Sequence, residues 1–314
     1  MGTDDGRAEL PDSLSGGAGG LTSTERLVKQ VSGIVGVLWN NRMGQAGVGI
    51  LFAFVLLGVF GPYLAPHDPT VINRASDGSA LRLAEPSLTH PLGTTNLGRD
   101  VASQVILGAR VSLLIGFFAA FIAVFIGLNI GLVSGYFGGW VDDGLMRLTD
   151  IAYGLPFLPF VLVLVFLLGP SLRSIAIVIS LLLWRSTARV IRSQVLSHKQ
   201  RPYVESARAI GASDFRIMYY HILPNVLPLA FLYGSFSVAW AVIGEASISF
   251  LGFGDPNMTS WGQMLFDAYS AGAIRFAWWW VAPPGICIML MVMSVFFIGR
   301  ALEQVTNPEL RHSE

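Results

Sequence analysis

Five runs along the chain are too long and too apolar for a soluble core. Gly44–Ala65 and Val111–Val141 carry no charged side chain, and Ile151–Leu172, Phe215–Gly244 and Phe276–Gly299 qualify once polar ends such as Arg216 and His221 are trimmed. A helix needs ~20 mostly apolar residues to cross the hydrocarbon, so each run predicts a spanning helix. A sixth run is short. Between Arg173 and Arg185 stand only 11 uncharged residues, "SIAIVISLLLW", a length that suits a buried helix or a re-entrant piece as well as a span.

Charge placement decides that run. With the N-terminus inside and six spans, only Arg74, Arg82, Arg99, Arg110, Arg173 and Arg275 fall outside, which leaves 14 of the 20 Lys and Arg on the inner side. Without the sixth span, seven basic residues between Arg185 and Arg216 would face outward, against the positive-inside bias. The pattern therefore predicts an all-α polytopic membrane protein of six helices with both termini cytoplasmic. Arg185, Arg189 and Arg192 fall on one helical face at the inner end of the fourth helix.

The expected organisation follows. Residues 1–43 form a cytoplasmic tail whose segment 25–42 has the spacing of a short amphipathic surface helix. Residues 44–65 are the first span and 66–107 an outer loop stiffened by Pro66, Pro69, Pro86 and Pro91. Residues 108–300 hold five helices with a polar segment at 203–223, and 301–314 form a second cytoplasmic tail.

Composition narrows the function. Only 13% of residues are charged and the formal net charge is zero, which gives no electrostatic reason to bind nucleic acid. The single cysteine, Cys287, forbids an internal disulfide. The five histidines lack metal-ligand spacing in sequence, and no metal ligand is assigned. No catalytic set and no G-x-x-x-x-G-K-[ST] phosphate loop is present, so an ATP-driven process would need another chain to bind the nucleotide.

The segment Tyr203–Leu223 is charged and cannot lie in hydrocarbon. Tyr203, Ala207 and Ile210 share one face, and Phe215, Met218 and Ile222 another, which predicts two short amphipathic helices. Gly211 stands between them, where a left-handed backbone suits glycine. Ser213 can cap the second helix, Asp214 suits its first turn, and Pro224 suits the start of the next span. Spacing alone fits an ordinary cytoplasmic loop with helical character equally well.

The stretch "ESARAIGASDFRIMYYHILP" resembles the signature of ATP-binding-cassette importer permeases, with Glu205, Ser206, Ala207, Gly211 and Pro224 in the signature positions. In that family this segment is the coupling helix that docks in a groove of the ATPase subunit. The resemblance implies that role for Tyr203, Glu205, Ser206, Ala207, Arg208, Gly211, Ala212 and Pro224. Three further stretches, His90–Gly116, Gly135–Ile151 and Glu245–Leu265, resemble dipeptide/oligopeptide permeases of the second-permease type, where Thr95 replaces a usual acid and Glu85 a usual proline. The resemblance implies a type I importer permease fold, a second homologous permease subunit, two ABC ATPase subunits that carry ATP and Mg, an extracytoplasmic binding protein and a place in the plasma or inner membrane. It implies no cofactor in this chain. Peptides are the expected cargo, with nickel complexes and oligosaccharides as alternatives within the family. An ion-coupled secondary transporter is the rival from another class.

Other residues carry weaker expectations. Gly93, Thr95, Gly98, Arg99 and Asp100 are candidates for binding-protein docking or an outer gate. Glu245, an acid near the outer end of the fifth span, is a candidate for the translocation path, with a structural hydrogen bond as the alternative. Asp143, Arg147 and Asp150 have the spacing of a local salt-bridge ladder. Pro156, Pro159 and Pro228 are expected to kink their helices, and Trp278–Trp280 to form an interfacial belt.

Overall fold

The computed structural model describes residue 36 and residues 38–306, with side chains to residue 303. The two tails and nearly all of the expected surface helix at 25–42 lie outside the described residues. The described architecture is helical apart from its connections, the longest of which, residues 65–100, carries two isolated β-bridges. Helix α1 spans Arg42–Leu64, α2 Val101–Phe137, α3 Gly139–Gly154, α4 Phe157–Leu168, α5 Leu172–Lys199, α6 Pro202–Ala209, α7 Asp214–Phe253, α8 Trp261–Ser270 and α9 Trp278–Thr306.

Helices α1, α2, α5, α7 and α9 are each long and apolar enough to cross a membrane. The expected fourth span is present, and the third carries the break expected at Pro156. The fourth, predicted from only 11 uncharged residues, is longer than that run suggests, an unbroken 28-residue helix, α5. The third, expected as one helix over Ile151–Leu172, is two pieces: α3 and α4 meet at Leu155–Pro156 with a bend of 91°. Proline disfavours the α conformation in the residue before it, and Leu155 is extended. The 12-residue α4 reaches about 18 Å, well short of the ~30 Å hydrocarbon layer. Pro159 sits in its first turn, where a missing N–H does no harm. Pro228 does not interrupt α7.

The second span starts ten residues earlier than expected, because Asp100 caps α2 by accepting from the Ser103 backbone N–H at 2.8 Å. Asn41 caps α1 in the same way, accepting from Met43 and Gly44.

The tightest seam lies between α2 and α5. Gly127, Gly131 and Gly135 recur every fourth residue on one face of α2, and the α5 backbone passes directly over them. A Cβ on Gly131 would lie 2.7 Å from the Ala188 carbonyl oxygen, and one on Gly127 2.5 Å from that of Trp184. Apolar surface gives little drive for helix association inside lipid, so close backbone approach at small residues takes its place.

The three largest apolar clusters among the described residues follow from this frame. One joins α1, α2, α7, α8 and α9 around Trp261 and Trp280. A second joins α2, α4, α5 and α7 around Ile115, Val161 and Ile179. The third joins α2, α5, α6 and the start of α7 around Leu132, Ile191 and Ile217. The expected aromatic belt reduces to Trp278, which is exposed, whereas Trp279 and Trp280 are buried.

Candidate functional site

Helix α6 and the turn after it project from the end of the bundle formed by the last turns of α5. Pro202 opens α6, and eight residues later the helix stops. Val204 and Ala207 point inward onto the third apolar cluster. The stop is a two-bond reversal: the Gly211 N–H donates to the Arg208 carbonyl at 3.0 Å and the Ala212 N–H to the Ala207 carbonyl at 3.1 Å. That pattern needs a left-handed residue, and Gly211 supplies it at φ +80°. The Ser213 side chain then caps α7. From α2, the Tyr136 hydroxyl donates to Asp214 Oδ1 at 2.6 Å, and the Tyr203 hydroxyl lies 2.9 Å from His198 Nδ1.

The segment is therefore built rigidly on one side and bare on the other. Glu205, Ser206, Arg208 and Gly211 are exposed, and Ala212 is half-buried. The expected apolar faces need correction. Ile210 is 84% exposed and Phe215 62%, although the spacing placed both inward. The reversal at Gly211 takes Ile210 off the α6 face, and Phe215 lies in the first turn of α7, where it stacks on Tyr219 with ring centroids 4.5 Å apart. Two bare apolar side chains thus flank a glycine turn. The second short helix is also not separate. It is the start of the 40-residue α7, which runs on through Pro224 by way of a π-helical turn at Ile217–Ile222.

The arginine row of α5 faces the elbow formed by α3. Arg192 grips Asp142 with two hydrogen bonds of 2.6 Å each, and the Ser134 hydroxyl of α2 donates to the same carboxylate. Arg189 pairs with Asp150, and Arg185 donates to the Ala152 carbonyl at 2.7 Å. Both Arg185 and Arg189 lie over the Tyr153 ring, at 4.9 and 4.1 Å. The expected ladder of Asp143, Arg147 and Asp150 does not form among the described residues, because Asp150 turns to α5 for its partner. Asp142, which the spacing argument passed over, makes the bidentate contact.

At the other end of α2, the long loop between α1 and α2 is folded against the bundle. Gly93, Thr95, Gly98 and Asp100 are buried and Arg99 is half-buried. Gly93 lies beneath Trp279, where a Cβ would come within 2.6 Å of the indole. The Thr95 hydroxyl oxygen accepts from the Leu97 and Arg99 N–H groups at 3.3 and 3.2 Å, so the threonine supplies an acceptor where the resemblance leads one to expect an acid. These residues shape the loop from within. The expectation had them at a binding-protein docking face or an outer gate; of the five, Arg99 keeps partial exposure. Asp100 is fully buried, with Oδ2 held by both the N–H and the hydroxyl of Ser103, while its Oδ1 faces His90 Nδ1 at 2.9 Å and His67 Nδ1 at 3.8 Å.

Glu245 is 1% exposed. Its Oε1 accepts from the Ser249 hydroxyl at 2.7 Å, and it lines a cavity of only about 10 Å³ with Ser260 and Asp255. It thus sits buried within this chain, with the Ser249 hydrogen bond that the structural alternative expects.

Long apolar helices, a bent helix pair and a short helix bared at one end describe a membrane-embedded helical bundle with an exposed segment. The fold matches the inward-facing MetNI methionine ABC transporter with a TM-score of 0.53 at 18% identity, over 65% of this chain and 97% of that one. Residues 127–308 match the family described as the binding-protein-dependent transport system inner membrane component, and residues 34–86 match the N-terminal TM domain of oligopeptide transport permease C. The chain belongs to the binding-protein-dependent transport system inner membrane component family. It is 35% identical to the dipeptide transport system permease protein DppC of Bacillus subtilis, over 87% of this chain and 84% of that protein. It is 32% identical both to the oligopeptide permease OppC of Bacillus subtilis, over 87% of each chain, and to the glutathione permease GsiD of Pectobacterium atrosepticum, over 83% of this chain and 86% of that one.

Proposed function

We propose that this permease carries peptides inward, sharing the path with a second, related permease, while two separate ATPase subunits supply the driving force and a binding protein delivers cargo to the outer loop. The named cargoes of the relatives, dipeptide, oligopeptide and glutathione, support peptide-like substrates. Both termini and the handle face the cytoplasm in this reading, in line with the charge asymmetry, and the ATPase grips residues 203–215.

The observation that carries the reading is the handle itself. A lone loop would not leave Ile210 and Phe215 in water beside a turn fixed by two backbone bonds. Their exposure fits a partner that covers them, and apolar area buried at a contact contributes roughly 25 cal/mol per Å². Glu205 and Arg208 at the rim would fix register and specificity.

Ile210→Asp tests this. The side chain contacts nothing that holds the bundle together, so the variant should insert and accumulate like the parent. Affinity purification of the permease should then recover its ATPase at least ~10-fold less well, the loss expected when a charge enters an apolar contact. Normal ATPase recovery together with normal peptide uptake would remove the handle from the mechanism.

A further inference from the structure

We propose that His67, His90 and Asp100 form a binding site for a divalent transition-metal ion of the zinc class at the root of the outer loop. The three residues stand apart in sequence, at positions 67, 90 and 100, yet each presents a ligand atom, and these atoms lie within 4.8 Å of one another. The two imidazoles face each other with centroids 4.6 Å apart at 31°, and both turn Nδ1 toward the same carboxylate oxygen, Asp100 Oδ1.

The distances separate a metal site from an ordinary hydrogen-bonded pair. His90 Nδ1 at 2.9 Å from Asp100 could be explained by a hydrogen bond alone. His67 cannot. Its Nδ1 is 3.8 Å from the carboxylate, beyond hydrogen-bond range, and it is a buried nitrogen with no hydrogen-bond partner. Nitrogen and oxygen donors bound at about 2.0–2.2 Å to one ion lie roughly 3–4 Å apart, so an ion among the three atoms would satisfy the orphaned nitrogen and needs only small ring movements.

The surrounding residues hold the donors as a metal site requires. Ser103 donates from both its backbone N–H and its hydroxyl to Asp100 Oδ2, which leaves Oδ1 turned to the imidazoles. The same Ser103 oxygen accepts from the His67 backbone N–H at 3.0 Å, so one serine positions two of the three ligands. Two imidazoles and one carboxylate favour zinc and its neighbours over calcium or magnesium, which prefer oxygen. Three protein ligands leave a fourth position for water. The ion would join the chain just beyond α1 to the cap of α2 and so close the loop between them.

The test uses the full chain in its assembled transporter, purified without a polyhistidine tag, stripped with a chelator and titrated with Co²⁺ and then Zn²⁺. Wild type should take up one equivalent of Co²⁺ per permease with visible d–d absorption, displaced by Zn²⁺. His67→Gln, at a half-exposed position, should fold and lose affinity by roughly 100-fold or more, and Ser103→Ala by about 10–100-fold. Asp100→Asn keeps an N-capping side chain and should also lose the spectrum, while His221→Gln should leave it unchanged. A Co²⁺ spectrum and affinity equal in wild type, His67→Gln and Asp100→Asn would overturn the site and leave a hydrogen-bonded helix cap. So would the absence of a wild-type equivalent.

Discussion

The handle can be probed at a position where strain and contact separate cleanly. Gly211 has φ +80°, and a Cβ built there meets nothing within 4 Å. Within this chain a side chain at 211 therefore costs backbone strain alone. That strain is about 1–2 kcal/mol for an ordinary residue in the left-handed region, a factor of roughly 5–30 against the native turn. Valine adds the stiffness of a branched Cβ, whereas asparagine tolerates the left-handed conformation. The two bonds that close the turn, from Gly211 to Arg208 and from Ala212 to Ala207, persist in Gly211→Asn and are weakened in Gly211→Val. The body of α6 stays anchored by Val204 and Ala207 in both. Both variants should reach the membrane at parental levels. ATPase recovery and peptide-stimulated ATP hydrolysis by the assembled complex should stay within about threefold of the parent in the asparagine variant and fall at least ~10-fold in the valine variant. If asparagine is as harmful as valine, the strain argument is wrong and a close-packed partner at Cβ must replace it. If valine is harmless, the turn geometry does not matter to the contact.

Two further predictions test the frame. Gly131→Ala drives a methyl to within 2.7–2.9 Å of Ala188, Ile191 and Arg192; it should cost about 1–3 kcal/mol and lower the melting temperature in detergent by roughly 2–10 °C relative to Gly49→Ala, where the new Cβ meets open space, and equal melting would refute the α2–α5 seam. Cysteines placed at exposed positions 77 and 201 in a Cys287→Ser background should react with an impermeant thiol reagent in intact cells at 77 only, and the reverse pattern would invert the topology.

Much of the fold could be read from the chain because hydrocarbon admits so few solutions. A run such as Gly44–Ala65 has to become a helix, since no water is present to satisfy its backbone. The misreadings cluster where polar groups find tertiary partners. Counting apolar residues undervalued α5 because Arg185, Arg189 and Arg192 interrupt its hydropathy, yet each is held by α3 and its last turn: Asp142, Asp150, the Ala152 carbonyl and the Tyr153 ring. The same counting drew the third span as one run, and it was Pro156, not the hydropathy, that marked where one helix direction ends and another begins.

The handle shows the same limit from the other side. Helical spacing located its buried face at Ala207, Met218 and Ile222 correctly but assigned Ile210 and Phe215 to that face too. A periodicity argument holds only while the helix continues, and Gly211 ends it one residue after Ile210. What spacing cannot express is that an apolar residue at such a reversal is left outside, where this chain alone gives it no reason to be. The histidines repeat the point in polar form. His67 and His90 have no ligand spacing in sequence, and only the folding of the outer loop onto the Asp100 cap brings their nitrogens to one carboxylate. In both places the residue that looks misplaced within the single chain, a bare isoleucine or an orphaned imidazole nitrogen, is the one that points to a second component.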